Sequence, residues 1–258
     1  MGYEKSNIIN FDQSGFNYEL TVPRALSTTG ERRTYSMIRD TNATTHSYTV
    51  LPTLTASGEF LPVCLVILKE INGVFGPVVQ TEVIAIQQKL KNICVLASRS
   101  GKMQSNHMQV YKDEVLKFVN GKALIIHDGW RGQIRNDLFQ EFPEMDRLVI
   151  PDGCTDKNQP LDLMVFRQWK LLAKRCFLRV TVDKLHQCDL RSRNGALTLQ
   201  SLIFNQLCAT SFKPMLRHAW KQYFDDIDQD FSTVNDICFK GLPSFCDSNN
   251  CFVSSFIR

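Results

Sequence analysis

The run Ala123-Leu124-Ile125-Ile126-His127-Asp128 constrains the fold of this chain more than any other stretch. Its apolar residues are continuous rather than alternating, and Gly129 follows the closing acid. Such a run is the pattern of a strand buried on both faces, in the middle of a parallel or mixed sheet with helices on either side. A chain built around it must therefore supply neighbouring strands and helical layers.

The rest of the sequence offers both. Residues 6–12 form a strand candidate with Ile8, Ile9 and Phe11 apolar; Asp12 ends it and Gln13-Ser14-Gly15 is a turn signal. Residues 48–55 and 61–69 are rich in β-branched and apolar residues, and the intervening Ala56-Ser57-Gly58-Glu59 turn makes them a hairpin. Short strands are expected at 93–97 and 147–150, and helices at 105–119 and 131–140. A longer helix is expected from Leu163 to Phe177, then helices at 197–209 and 214–224 before an irregular tail. Strands first, then alternating helix and strand, then helices, argue a mixed α/β sheet covered by helices.

At 258 residues the chain can form one large domain or two small ones. No run of about 18 apolar residues is present, so no membrane span is expected. The net charge of +4 is unevenly spread: Leu163 to Gln222 carries eleven Lys and Arg against Asp183 and Asp189. That block suits a polyanion such as nucleic acid, or a solvated helical face. The nine cysteines are odd in number and scattered, which reads as free, buried thiols in a reducing compartment. Cys246 and Cys251 lack a second pair at zinc spacing.

Three acids stand out. Asp12 and Asp128 both end strands, and Asp162 falls in the first turn of a helix behind Pro160, where exposed N–H groups favour a carboxylate. On a helical wheel Phe166, Trp169 and Ala173 lie within about 40° of Asp162, while Arg167, Lys170 and Lys174 gather on a neighbouring stripe. Carboxylates brought together at strand ends stay ionised only with cations between them. Hard divalent ions, Mg²⁺ or Mn²⁺, fit oxygen ligands, and a pair of them suits phosphodiester chemistry. His127 points to the opposite face from Asp128 and reads as a core residue. Trp130 reads as an anchor for the following helix or as a platform for an unpaired base, and Trp169 as core.

Phe11-Asp12-Gln13-Ser14-Gly15-Phe16, Leu124-Ile125-Ile126-His127-Asp128-Gly129 and Gln159-Pro160-Leu161-Asp162 resemble the three acid blocks of the DDE superfamily endonuclease domain, most closely the Tigger/pogo-type transposases of the mariner superfamily. Asp128 and Asp162 are 34 positions apart, similar to that group, and the 50–69 hairpin resembles the block between the first two acids. The resemblance implies a ribonuclease-H-like mixed sheet, its first three strands antiparallel and the later ones parallel, flanked by helices, over residues 1–178. A helical and irregular C-terminal extension follows over 179–258, and the family's helix-turn-helix DNA-binding region is absent in front of Asp12. It further implies Asp12, Asp128 and Asp162 as catalytic residues and ligands of two Mg²⁺ or Mn²⁺, with no other cofactor. The implied activity is cleavage and transfer of DNA strands in the nucleus. Arg32, Arg33, Arg131, Arg167, Lys170 and Lys174 are the candidate DNA contacts. DNA is the implied partner; a homodimer is allowed, and no membrane or small-molecule substrate is called for. The alternative is a domesticated or decayed, non-catalytic nuclear protein that binds DNA or protein.

Overall fold

The continuous apolar run folds as β7 (Ala123–Asp128), inside a sheet. It pairs in parallel with β1 (Ile8–Phe11) on one side and with β8 (Met145–Ile150) on the other. The far side of β1 carries β4 (Thr53–Thr55), antiparallel. The remaining strands are β2 (Ser14–Asn17), β3 (Ser47–Leu51), β5 (Cys64–Lys69) and β6 (Ile93–Ser98), side by side in the order β2-β3-β5-β6. The computed structural model describes residues 2–19, 29–30, 46–129, 145–151, 153–182, 189–227 and 229–239. The expected helix at 131–140, Trp130, the loop holding Arg32 and Arg33, and the tail beyond 239 lie outside these.

Hydrogen bonding divides the strands into two four-stranded sheets, yet one register runs through both. Ile9 sits opposite Thr55 and Ser14 opposite Val50, in a single antiparallel sequence of pairs. That register sets Pro52 opposite Asp12. Pro52 has no N–H to give to the ladder, so pairing lapses there and resumes two residues on. Asp12 therefore lies at an interruption inside a long strand rather than at its end. The turn read at Gln13-Ser14-Gly15 is instead the start of β2, because pairing with β3 and burial of Phe16 outweigh local turn composition. Joined across these breaks, the strands make the expected ribonuclease-H-like mixed sheet: antiparallel through the first three strands, parallel at β7 and β8. β6 adds a further parallel edge beside β5. Gly58 closes the hairpin turn at φ +83°, and a Cβ there would meet the Lys213 carbonyl oxygen at 2.8 Å.

Alternate residues of each strand feed two cores, as a period of two requires. Ile9, Phe11, Leu51, Leu65, Ile67 and Ile125 pack with Met108 and Tyr111 of α2 (His107–Glu114) and with Val115 and Leu116 beyond it. Ile8, Leu54, Val66, Leu68 and Ile126 face the opposite layer. That layer holds α4 (Phe166–Val182), α5 (Arg193–Leu207), α6 (Lys213–His218) and α7 (Val234–Cys238). The 13-residue α1 (Pro77–Lys89) and the single turn α3 (Thr155–Asn158) are the other α-helices among the described residues. α1 was not expected: its inner stripe, Val79, Val83 and Ile86 with Leu90 just beyond, is blurred by Val78 and Ile84, which are apolar but exposed on the outer face. The thiols of Cys64 and Cys176 are free and buried, as expected, whereas Cys208 is exposed. No helix among the described residues is long and apolar enough to cross a membrane.

Trp169 fixes α4 to this core and is fully buried. Its Nε1–H donates to Gln200 Oε1 at 2.7 Å, and Gln200 Nε2 donates to the Tyr48 hydroxyl at 2.7 Å. One amide on α5 thus satisfies polar atoms on α4 and β3. Replacing Gln200 with Leu leaves both partners without it, and a buried polar group stripped of its hydrogen bond costs about 1–3 kcal/mol. Urea denaturation of Gln200→Leu should show a loss within or somewhat above that range; a midpoint equal to wild type would contradict this role.

Candidate active site

Strand parity decides which side chains share a face. On β1, Ile8 and Asn10 point to the layer of α4, and Ile9 and Phe11 point away. Asp12 continues the first set. On β7, Ile126 faces α4, so Asp128 does too, while His127 turns to the far side and stacks on Phe11 at 5.8 Å. His127 is fully buried, with Nδ1–H donating to the Asp128 carbonyl oxygen at 2.6 Å, which agrees with its reading as a core residue. The parallel register pairs Asn10 with Ile126. Carried on two residues, it sets Asp12 beside Asp128 on adjacent strands.

Asp162 reaches the same place from the helical layer. Pro160 has helical dihedrals, φ −54° and ψ −42°, and the turn over Leu161–Val165 is π-helical, closed by the Phe166 N–H on the Leu161 carbonyl oxygen. The extra residue in this turn changes what the wheel implied. Phe166, Trp169 and Ala173 are buried as expected, but Asp162 is rotated off their face and is exposed. Its carboxyl end turns back onto Asp12, and the two share a hydrogen bond.

The charges in this cluster oppose one another. Asp12 is only 6% exposed, and burial is the first cause that pushes its carboxyl up to about 8. The Asp162 and Asp128 charges raise it further, while the Gln13 backbone N–H acts in the other direction. Asp162 is also raised, by burial first and by Asp128; its hydrogen bond to Asp12 and the Lys170 charge pull it back. The all-oxygen donor set suits a hard divalent cation. Asp12 and Asp162, close enough to share a proton, fit a common cation. As they stand, no three His, Cys, Asp or Glu side chains among the described residues form a metal-holding group.

Around the acids, Arg167, Lys170 and Lys174 are exposed along α4, as the wheel placed them. Lys170 lies over the Phe16 ring, 6.0 Å from its centroid, and within electrostatic reach of Asp162. Arg32, Arg33 and Arg131 are outside the described residues. The sequence reading missed Asn10, a buried amide two residues before Asp12, and the tie made by Gln13, whose Oε1 accepts from the Met103 N–H at 3.3 Å. Asn10 carried a signal, as a polar residue inside an apolar strand. Gln159 is fully buried, and its side-chain amide finds no hydrogen-bond partner among the described residues.

In structure the chain is similar to Mos1 transposase in a paired-end complex with the left transposon end, at 10% identity and a TM-score of 0.36, over 84% of this chain and 56% of that one. It is similar at 9% identity and a TM-score of 0.40 to the Mos1 strand transfer complex, over 85% of this chain and 56% of that one. For the Mos1 mariner paired-end complex with Mn the values are 10% and 0.36, over 86% and 57%. The chain spans a little over half the length of these transposase chains. No family model matches it, and no curated protein does.

The raised Asp12 carboxyl sets a direction for stability. Its folded value of about 8 exceeds the unfolded 3.8, so the folded state holds more protons between the two. Stability is then highest below about pH 4 and falls as pH rises through about 8. In metal-free protein, Asp12→Asn should raise Tm at pH 8 and leave it nearly unchanged at pH 4. Equal shifts at both pH values would contradict a protonated, buried Asp12.

Proposed function

We propose that this chain is a DDE-type nuclease domain of Tigger/pogo descent, which cleaves and transfers DNA strands with divalent metal in the nucleus. One observation carries the reading. Asp12 and Asp162 share a hydrogen bond, Asp128 lies within electrostatic reach of both from the neighbouring strand, and a stripe of exposed cations runs beside them. Asp12, Asp128 and Asp162 are the residues proposed to hold Mg²⁺ or Mn²⁺. When bound, a pair of such ions stabilises the attacking and leaving oxygens of a phosphodiester. The chain's own part is to orient and to hold. Buried Asp12 fixes one end of the cluster, and Asp162 on its π turn supplies the other. Lys170, Arg167 and Lys174 contact the DNA backbone along α4, joined in the proposal by Arg32, Arg33 and Arg131.

A second reading keeps the DNA and drops the chemistry. It is favoured by the hydrogen bond between Asp12 and Asp162, which holds the two acids together with a proton rather than a cation. A non-catalytic nuclear binder would use the basic face of α4 alone.

Plasmid nicking with Mn²⁺ separates the two. The nuclease reading predicts nicking by wild type that Asp162→Ala and Asp128→Ala each reduce by at least about 100-fold, with circular dichroism unchanged. Divalent-independent nicking, or none even when the chain is fused to a DNA-reading domain, would sink it. Under either reading Lys170→Ala should weaken DNA binding and reduce the salt slope of log K by about one phosphate contact. An unchanged slope would remove Lys170 from the interface.

A further inference from the structure

We propose that Asn10 is a positioning residue that locks the three acid-bearing elements to one another; its bearing on catalysis rests on the nuclease reading above. Asn10 is fully buried in the middle of an apolar strand. A buried amide is costly unless both of its ends are satisfied. Here each end is used on a different element. Nδ2–H donates to the Ile126 carbonyl oxygen of β7 at 2.8 Å. Oδ1 accepts the Leu161 N–H at 3.2 Å. That N–H belongs to the first residue of the π turn, where a helix start leaves donors without intrahelical partners.

An acid sits next to every point this amide touches. Asp12 is two residues along β1 from Asn10, on the same face. Asp128 is two residues along β7 from Ile126, and Asp162 directly follows Leu161. The side chain therefore spans from the sheet to the helix tip in one rigid planar group. It sets the separation between the strands that carry Asp12 and Asp128 and the turn that carries Asp162. A hydrophobic residue of similar size fills the space but makes neither bond. Asn10 reaches no reacting atom in this arrangement, so its influence passes through the carboxyls it places.

The test measures amide hydrogen exchange at Leu161 together with Mn²⁺-dependent nicking, for wild type, Asn10→Leu, Asn10→Asp and Asn92→Ala. Asn10→Leu should speed exchange at Leu161 roughly tenfold, as loss of one buried hydrogen bond implies. It should lower the nicking rate per folded molecule about 100-fold with DNA affinity unchanged, the scale of a 1 Å misplacement. Asn10→Asp keeps an oxygen for the Leu161 N–H and should keep its protection. Asn92→Ala, which removes the hydrogen bonds between Asn92 and Ser201 at the β6 edge of the sheet, should leave both readouts at wild-type values. Should Asn10→Leu fail to fold, the smaller Asn10→Ala carries the same expectation. Unchanged exchange at Leu161 overturns the proposal whatever wild type does to DNA. Faster exchange with full nicking overturns the link from anchor to catalysis. Faster exchange in a chain whose wild type nicks no DNA upholds the anchor and removes the nuclease reading instead.

Discussion

Carboxylates crowded onto one face of a buried sheet repel, and the fold around them must supply either a proton or a cation. This constraint organises the structure. The parallel register of β1 and β7 sets Asp12 level with Asp128, and the π turn delivers Asp162 to the same side. Asp12 and Asp162 resolve the conflict by sharing a hydrogen bond, with Asp12 held largely protonated near neutral pH. A divalent ion offers the alternative solution, since it replaces the proton and lets all three carboxyls ionise.

The architecture serves that placement. The lapse in pairing at Pro52 opens the sheet beside Asp12, where an unbroken ladder would have run straight through. The π turn rotates Asp162 off the apolar face of α4, so one helix can bury Phe166 and Trp169 and still present an acid to the strands. The Trp169–Gln200–Tyr48 chain holds that helix against the sheet, and Asn10 ties its tip to β7. Packing and polar anchoring thus act on the same helix from two ends.

Much of this was legible in the sequence. The apolar run ending in Asp128 marked a central strand, the β-branched runs marked the hairpin, and the exposed cations of α4 followed from helical spacing. Two five-residue stretches, Ile8 to Asp12 and Leu124 to Asp128, align residue for residue in the parallel register, and each ends on an acid. What stayed hidden has physical causes. Turn-like composition at Gln13-Ser14-Gly15 masked β2, because cross-strand pairing lies outside any local window. The π turn broke the assumed angle per residue. The periodic stripe of α1, Val79, Val83 and Ile86, was blurred by apolar Val78 and Ile84 on its exposed face. Asn10 was passed over because a lone polar residue in a strand does not announce its partners, which lie 116 and 151 positions away.

Calorimetric titration of metal-free protein with Mn²⁺ at pH 7.5, repeated in two buffers of different ionisation enthalpy, tests the central claim most directly. If the three acids share a face that trades a proton for a cation, Mn²⁺ binds and releases protons, as metal binding to protonated ligands must. Asp12→Asn then abolishes both the binding and the buffer dependence. Absence of binding, or binding that Asp12→Asn leaves intact, would contradict the account.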